Sequence, residues 1–354
     1  MFRDTWVEVD LDRITHNVKV IKEYTGYDKI FAVVKANGYG HGDIEVAETA
    51  LAAGATHLAV AFLDEALRLR KHFTCPILVL GYTSEDYFEL ASENNISLTI
   101  IDDFEYDGKL NVHLKIDTGM NRLGLDNSTD ILRMIEKINK SKVNLEGIYT
   151  HLATAGSSDV HYYKQLNRLK SLGLDLELIH VNNSAGMLAY KEMFSAGRLG
   201  IAMYGLTPYD GVLPVELKQA FSLYSKITSV KKIQKGESVG YGATYVTSKD
   251  SYIATLPIGY ADGFLRVNKG RMVEIKSKLY EIVGNVCMDQ IMILVDETIS
   301  KDDIVSLISD EITVGDMAND LGTINYEIVC SITDRVPRVY KSNGKITKFN
   351  NYRF

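Results

Sequence analysis

Cysteine and proline are both scarce in this sequence, and each scarcity excludes a class of structure. The three cysteines are odd in number and show no CxxC spacing, so they predict neither a disulfide framework nor a zinc site; they are Cys75, Cys287 and Cys330. We expect no metal. With five prolines among 354 residues and no low-complexity run, no flexible linker between domains is evident.

Long apolar runs are missing as well. No stretch approaches the roughly 18 consecutive apolar residues of a membrane span. The N-terminal MFRDTWVEVD lacks the apolar core of a signal peptide. We therefore expect a cytoplasmic protein.

The sequence also lacks an excess of basic charge. Its formal net charge is -7, whereas nucleic acids are bound through clustered Lys and Arg. An anionic membrane surface is disfavoured for the same reason. The remaining composition, with 46% hydrophobic and 24% charged residues, is typical of a soluble chain long enough for two domains.

What the sequence contains falls into two patterns. From residue 10 to 215, short apolar runs alternate with segments of helical periodicity, such as 44–51, 64–72, 129–140 and 162–172. Repeated βα units form right-handed crossovers and a parallel sheet, and eight of them predict closure into a barrel. The eight runs lie at 29–35, 57–61, 76–81, 97–101, 111–117, 145–151, 176–182 and 198–205.

The second pattern begins after Pro214. Segments such as SLYSKITSVKKI, SYIATLPIGY and QIMILVD read as alternating or mixed strands joined by turn residues. We predict an all-β domain over 216–354, and we expect an N-terminal strand within 1–9 to pack on it because a terminal strand needs a sheet to pair with. The predicted fold class is α/β: a (β/α)8 TIM-like barrel over 10–215, followed by a C-terminal all-β domain.

The segment FAVVKANGYGHG, residues 31–42, places Lys35 at the end of the first apolar run. In a barrel, functional residues collect where strands end. A lysine held in a barrel mouth loses part of the solvation of its charge, so its neutral, nucleophilic form becomes accessible. We therefore expect Lys35 to form a Schiff base. The alternative is a lysine that extends from a strand end into water.

Nine segments carry a family resemblance. AVVKANGYGHG resembles the pyridoxal-phosphate lysine segment of alanine racemases, and eight further segments resemble the other blocks of that family in the same order. These segments are KIDTGMNRLG (115–124), THLATA (150–155), NNSA (182–185), RLGIAMYG (198–205), VGYGATY (239–245), LPIGYADG (256–263), CMDQ (287–290) and TINYE (323–327). The resemblance spans nearly the whole chain.

The resemblance implies an alanine racemase activity that interconverts L-alanine and D-alanine and supplies D-alanine for cell-wall peptidoglycan. It implies pyridoxal 5'-phosphate as cofactor and a homodimer with shared active sites. Lys35 would carry the cofactor and act as one catalytic base. Tyr241 of the partner subunit would be the second base, with His151 as its partner. A serine or broad-range amino-acid racemase on the same scaffold is the alternative.

The resemblance also assigns supporting roles to other residues. The cofactor would be bound by Lys35, Tyr39, His151, Ser184, Arg198, Gly200, Ile201 and Tyr326, with Arg198 facing the pyridine nitrogen and most of the others near the phosphate. The substrate carboxylate would be bound by Arg122 and the backbone of Met288. Lys115, often carbamylated in this family, would orient Arg122. Further supporting residues are Tyr260, His180, Arg266 and Asp289.

Two positions depart from the usual family pattern. Gly156 stands where many relatives carry an acidic residue, and Asn285 stands where many carry a basic one. The departures bear on substrate access or range more than on the chemistry. Two further rivals are a fold-related pyridoxal-phosphate decarboxylase, whose glycine-rich triplet this sequence lacks, and a cofactor-carrying regulatory protein without turnover.

Overall fold

The structure is a computed structural model that describes residues 3–351, and within it the chain divides into two compact units. One unit is Arg13–Lys218, and the other joins the residues up to Asp12 with those from Gln219 onward. Strand β1 (Thr5–Asp10) belongs to the second unit, and helix α1 (Leu11–Thr25) begins at the boundary. Within residues 3–351, no helix has the length and apolar character that crossing a membrane requires.

The unit Arg13–Lys218 is built on a sheet of eight parallel strands, in the order β4-β3-β2-β9-β8-β7-β6-β5. The ends of this sheet meet through a parallel bridge between Leu78 and Ser97, so the sheet closes into a barrel. All eight predicted strands are present, and the predicted barrel is confirmed. They are β2 (Lys29–Val33), β3 (His57–Val60), β4 (Ile77–Val79), β5 (Leu98–Ile100), β6 (Leu110–Lys115), β7 (Val143–Tyr149), β8 (Ile179–His180) and β9 (Ala196–Leu199).

Helices connect most of these strands and cover the barrel. In the helix Ser128–Asn139, the buried residues Ile131, Met134 and Ile138 recur at helical spacing, so one face packs on the barrel. The Asn127 side chain accepts the backbone N-H of Thr129 at 2.8 Å and caps the first turn. The helical segments after α1 are α2 (Lys35–Tyr39), α3 (Asp43–Ala52), α4 (Leu63–Arg70), α5 (Phe88–Glu93), α6 (Ser128–Asn139), α7 (Asp159–Lys170) and α8 (Ser184–Ala189).

The second unit is built on a ten-stranded sheet in which β1 is an inner strand. β1 pairs antiparallel with β10 and parallel with β19. Its sequence TWVEVD alternates buried and partly exposed residues, as a strand with one covered face requires. The strands after β9 are β10 (Phe221–Lys226), β11 (Ser229–Ile233), β12 (Ser238–Val239), β13 (Tyr245–Val246), β14 (Ser251–Leu256), β15 (Met272–Ile275), β16 (Lys278–Val283), β17 (Ile291–Val295), β18 (Ile304–Ile308), β19 (Arg338–Ser342) and β20 (Lys345–Asn350). Of these, β12 and β13 pair with each other in a separate two-stranded sheet.

Two short helices accompany these strands, which the sequence pattern did not indicate. They are α9 (Val314–Leu321) and α10 (Asn325–Ser331). α9 begins with a capping box in which Thr313 accepts from the backbone N-H of Asp316 at 3.0 Å and the Asp316 carboxylate accepts from Thr313 in return. Both helices are too brief for their periodicity to stand out from the surrounding strand pattern.

Candidate active site

Lys35 begins a strained turn directly after β2. Ala36, Asn37 and Tyr39 all have left-handed backbone angles, with φ of 52°, 53° and 52°, and Gly38 between them has φ of 60°. Left-handed geometry costs an L-residue roughly 1–2 kcal/mol, and glycine escapes this cost. Nothing in the sequence indicates left-handed angles at Ala36 and Asn37, and the structure alone reveals them.

A network of hydrogen bonds holds this turn in place. The Glu65 carboxylate accepts the backbone N-H of Ala36 at 2.6 Å and those of Ala61 and Phe62 at 2.7 and 3.1 Å. The Asn37 side chain accepts the backbone N-H of Asp43 at 3.2 Å. Strain of this kind persists only where surrounding contacts fix it. The lysine backbone is therefore held rigidly at the carboxyl end of the barrel.

Hydroxyl groups line a recess beside this turn. The Ser184 Oγ accepts the backbone N-H of Gly200 at 2.9 Å and that of Ala202 at 3.4 Å, which leaves its own hydrogen to donate elsewhere. Gly200 has no side chain, and a Cβ there would lie 3.0 Å from the Tyr39 Oη and 3.8 Å from the Ser184 Oγ. The glycine thus keeps open a cradle of neutral donors of the kind that phosphate oxygens accept from.

Arg198, on β9, is a buried cation whose two terminal nitrogens both have acceptors. Its NH1 donates to the backbone oxygen of His180 at 2.8 Å and contacts the His180 Nδ1 at 2.9 Å. Its NH2 donates to the oxygens of Thr150 and Val181 at 2.8 and 2.9 Å. Burial lowers the pKa of Arg198 to about 10, so the guanidinium stays charged at neutral pH. A surface salt-bridge role for Arg198 is excluded because the residue is 3% exposed.

The loop after β6 folds back on its own strand. The two carboxylate oxygens of Asp117 accept the backbone N-H groups of Gly119, Met120, Asn121 and Arg122 at 2.8 to 3.0 Å. The N-H of Leu125 donates to the Lys115 oxygen at 3.0 Å and closes the loop. Arg122 is thereby returned to the neighbourhood of Lys115, seven positions earlier in the chain.

Lys115 is buried among cations. Burial lowers the pKa of its amine to about 8, and the charges of Arg122, Arg198 and Lys35 add to the effect. The amine lies 5.6 Å from the ring centroid of Tyr149, and the Arg198 guanidinium lies 5.2 Å from the same centroid. Tyr149 was not singled out from the sequence, because one tyrosine inside an apolar strand carries no distinguishing signal.

His151 lies within the same cationic surroundings. Burial lowers the pKa of its imidazole well below the usual range, and Arg198, Arg122, Lys115 and Lys35 act in the same direction. Its Nδ1 lies 3.4 Å from the Arg198 NH2. Since arginine only donates, the Nδ1 is the acceptor, and the other ring nitrogen of neutral His151 carries the hydrogen. Four cations thus converge on one histidine, and such a site favours ligands with several negative charges.

The second unit carries its own exposed group of predicted residues. Tyr241 is 74% exposed and Met288 is 54% exposed. The Asn285 side chain donates to the Tyr241 backbone oxygen at 2.8 Å. The backbone N-H of Tyr260 donates to the Cys287 oxygen at 3.0 Å, which places Tyr260 beside the CMDQ segment. Tyr241, Tyr260 and Met288 are large side chains of the kind that a protein core normally buries, and all three are exposed on this unit.

The remaining predicted residues take individual positions. Asp289 forms an ion pair with Arg335 at 2.7 Å. The charge of Arg266 acts on the Cys287 thiol, so this arginine lies near the same segment. Burial raises the pKa of Tyr326, on α10, to about 12, so its hydroxyl stays protonated and able to donate. At Gly156 a Cβ would lie 2.6 Å from the Tyr209 ring, so any side chain there requires Tyr209 to move.

Comparison with known proteins gives one consistent answer. The family model described as the alanine racemase N-terminal domain matches residues 9–208, and the one described as the C-terminal domain matches residues 220–340. An alanine racemase from Anoxybacillus flavithermus is 47% identical over 99% of this chain and 98% of its own length. One from Halalkalibacterium halodurans is 45% identical, again over 99% of this chain and 98% of its own length.

Solved structures give the same answer. The crystal structure of alanine racemase from Bacillus anthracis with bound L-Ala-P superposes with a TM-score of 0.94 at 41% identity, covering 100% of this chain and 99% of that one. Both units are therefore matched in sequence and in fold, at identities far above those at which only the fold is shared. This chain belongs to the alanine racemase family.

Proposed function

We propose that this protein interconverts L-alanine and D-alanine with pyridoxal 5'-phosphate, as a homodimer whose active sites take residues from both subunits. The observation that carries the proposal is the convergence of Lys35, Lys115, Arg122 and Arg198 on neutral His151 at the carboxyl end of the barrel. A cofactor phosphate and a substrate carboxylate are anions of the kind that such surroundings bind. The family relationship of both units supports the same activity.

The residues present fit the cofactor. Lys35 would hold it covalently, and the Tyr39 and Ser184 hydroxyls beside the Gly200 cradle would donate to its phosphate, together with the backbone at Ile201 and the hydroxyl of Tyr326. When bound, pyridoxal phosphate withdraws electrons from the substrate and makes the hydrogen on Cα acidic. The protein then decides what becomes of that proton.

Arg198 would face the pyridine nitrogen of the cofactor. A buried guanidinium held by four acceptor contacts remains a donor, so a nitrogen that accepts from it stays unprotonated. Negative charge then stays nearer the substrate Cα than the ring. Proton return to Cα is favoured, and this outcome is racemisation rather than transamination.

Inversion at Cα requires a proton acceptor on one face and a proton donor on the other. We assign one face to the Lys35 amine and the opposite face to the phenol of Tyr241 of the partner subunit. An ordinary phenol is too weakly acidic to serve well as a base at neutral pH. Neutral His151, whose Nε2 carries the hydrogen, would donate to the phenolate oxygen and stabilise it.

The substrate carboxylate would be bound from both subunits. The planar fork of Arg122 suits a carboxylate, and the backbone N-H of Met288 of the partner subunit would donate to the same group. Lys115 is a cation close to Arg122 and would repel it. A carbamate on Lys115 would reverse that charge and orient the guanidinium instead of repelling it.

The test of the proposal is racemisation of L-alanine by the purified protein with pyridoxal phosphate, followed by circular dichroism. Lys35→Ala should abolish racemisation and the borohydride-reducible link to the cofactor together. Lys29→Ala is the matched control, because Lys29 begins the strand that leads to Lys35 and forms an ion pair with exposed Glu177 at 3.1 Å. A Lys35→Ala protein that still forms the reducible link would show that another lysine holds the cofactor.

The two-subunit assignment has a separate test. Inactive Lys35→Ala subunits mixed with inactive Tyr241→Ala subunits should regain activity, because a heterodimer contains one site with both bases intact. In Tyr241→Ala alone, solvent deuterium should still enter D-alanine, whereas conversion of L-alanine should fall by about 10²- to 10⁴-fold. Mixed dimers that form and stay inactive would contradict the donation of Tyr241 across the interface.

Substrate range is measured in the same assay. L-Serine and L-lysine are tested beside L-alanine, and a rate with either that equals or exceeds the alanine rate would favour a serine or broad-range racemase. Release of carbon dioxide would instead indicate a decarboxylase. Stable cofactor binding with no turnover of any amino acid would indicate a regulatory protein.

A further inference from the structure

A line of polar side chains on four adjacent strands begins in the interior of the barrel and ends at a carboxylate that is 28% exposed. His113 lies on β6, Glu146 on β7, His180 on β8 and Arg198 on β9. The interior of such barrels is usually filled by branched aliphatic side chains. Here His113 is 2% exposed and His180 is fully buried. Buried polar groups in a core carry a cost unless each is satisfied, so their arrangement needs an explanation.

Consecutive members of this line lie within reach of one another. The Arg198 NH1 is 2.9 Å from the His180 Nδ1, and the His180 Nε2 is 2.9 Å from the His113 Nδ1. The His113 Nε2 is 3.5 Å from the Glu146 Oε2. The Glu146 carboxylate also accepts a hydrogen bond from Ser97.

The donor at one end, Arg198, and the acceptor at the other, the Glu146 carboxylate, determine which ring nitrogen of each histidine carries a hydrogen. Arginine only donates, so the His180 Nδ1 must accept, and neutral His180 must carry its hydrogen on Nε2. That hydrogen points at the His113 Nδ1, which must therefore accept. His113 then carries its own hydrogen on Nε2, where it faces the carboxylate of Glu146. A second hydrogen on either histidine would place an N-H group directly against the N-H group of its neighbour in the line.

We propose that Glu146 and His113 are positioning residues for Arg198, acting through His180 to set the tautomer that gives the guanidinium its acceptor. Neither residue touches the reacting atoms. The structural part of this inference stands alone, whereas its effect on catalysis rests on the proposed function. The chain Arg198, His180, His113, Glu146 is hereafter called the relay.

The pKa shifts of Glu146 and His180 agree with this order of donors and acceptors along the relay. Burial raises the pKa of Glu146, but hydrogen bonds from His113 and Ser97 outweigh it and leave the pKa below its usual value. The carboxylate is therefore ionised at neutral pH and is a strong acceptor. Burial and the Arg198 charge lower the pKa of His180 well below its usual range, so this ring is neutral.

Packing holds the rings of the relay in one orientation. His180 is stacked between Phe31, with ring centroids 4.8 Å apart, and Tyr149, with centroids 4.7 Å apart. Gly147 leaves room for the His113 ring, because a Cβ there would lie 3.2 Å from the His113 Nδ1 and 2.6 Å from the Leu178 oxygen. These contacts hold the plane of each ring, and the hydrogen bonds at the ring nitrogens set the orientation and the tautomer.

The relay is tested by ¹⁵N NMR of the full-length protein, as purified, labelled only at its eight histidines. His113 and His180 should both appear as neutral rings protonated at Nε2. A coupling across the hydrogen bond should join the His180 Nε2 to the His113 Nδ1. An imidazolium signal or protonation at Nδ1 in either ring would overturn the proposal. Assignments come from His113→Phe and from His57→Phe.

Two substitutions of Glu146 distinguish the effect of its acceptor oxygen from the effects of its charge and its size. Glu146→Leu removes the acceptor, and the His113 ring should then populate both tautomers. Glu146→Gln keeps an acceptor oxygen and should restore the single Nε2-H tautomer. His57→Phe is the control, since the His57 ring centroid lies 4.5 Å from that of Phe31 and its Nδ1 bonds Thr56 rather than the relay. Unchanged tautomers in Glu146→Leu would refute the role of Glu146.

Catalysis provides the second readout. With alanine, kcat of Glu146→Leu should fall by about tenfold with little change in KM, a loss similar to that for outer hydrogen-bond partners of metal ligands. Glu146→Gln should retain most of the kcat that Glu146→Leu loses. Full activity in Glu146→Leu would overturn the positioning role. If the unaltered protein shows the expected tautomers but no racemisation of any amino acid, the relay stands and the proposed function fails.

Discussion

Carbamylation of Lys115 can be predicted quantitatively from its surroundings. Carbon dioxide reacts only with the neutral amine. An ordinary lysine with a pKa near 10.4 is neutral for only about 0.04% of the time at pH 7. With the pKa lowered to about 8 by burial and by Arg122 and Arg198, the neutral fraction at pH 7 rises to about 10%. The structure therefore raises the reactive fraction by roughly 200- to 300-fold.

The assay is ¹³C NMR in ¹³C-labelled bicarbonate. One protein-bound carbamate signal should appear in the unaltered protein and grow between pH 7 and pH 9, as the remaining amine loses its proton. The signal should be absent in Lys115→Ala. It should persist in Lys140→Ala, whose exposed amine pairs with Glu136. A carbamate signal that survives in Lys115→Ala, or none at saturating bicarbonate, would refute the reasoning.

Three further predictions concern the barrel unit. Gly200→Ala should weaken cofactor affinity by about tenfold or more, because the added Cβ would lie 3.0 Å from the Tyr39 hydroxyl. The measurement is a titration of the protein with cofactor, followed by absorbance. Gly315→Ala is the control, because the nearest atom to its added Cβ would be 3.6 Å away. Ala36→Gly should raise the free energy of unfolding by up to about 1 kcal/mol by relieving left-handed strain, whereas Ala47→Gly should lower it by about 1 kcal/mol or more in denaturant titrations. Asp117→Ala should lower it by about 1–3 kcal/mol through four lost hydrogen bonds. Burial raises the pKa of Asp117, but those bonds outweigh it and hold the pKa low. The stabilisation by Asp117 is therefore complete above the unfolded pKa, near 4, and is lost as pH falls through the folded value; an identical acid response in Asp117→Ala would contradict this.

The barrel could be predicted from the sequence because its signals are periodic. The alternation of eight apolar runs with helical segments repeats along about 200 residues, so an error of a few residues at the end of any one segment does not hide it. The helical segment expected at 44–51 is present as α3 (Asp43–Ala52). The position of Lys35 at the end of β2 followed from the same pattern. The two helices of the second unit were missed because each is shorter than the window in which helical periodicity becomes visible.

Contacts between distant segments could not be predicted from the residues themselves. Nothing in the sequence around Glu65 indicates that its carboxylate binds the backbone N-H of Ala36. His113 and Glu146 read as polar residues within strands, and only the closed barrel brings them to the same line. That Arg122 lies near Lys115 was implied by the family resemblance, in which Lys115 orients Arg122. The four-donor clamp of Asp117 that produces it was not expected.

The barrel closes between β4 and β5 by the bridge from Leu78 to Ser97, and this seam has a dynamic consequence. The backbone N-H of Val79 donates to the Ser97 oxygen, and that of Ser97 donates to the Ile77 oxygen, both at 2.9 Å. Few bonds must break for local opening here, so these amides should exchange with solvent deuterium before those between β6 and β7, where six residue pairs are in register. Opening the seam displaces Ser97, which also binds Glu146. Local opening of the barrel wall would therefore move a residue that binds Glu146, at the far end of the side chains that support Arg198.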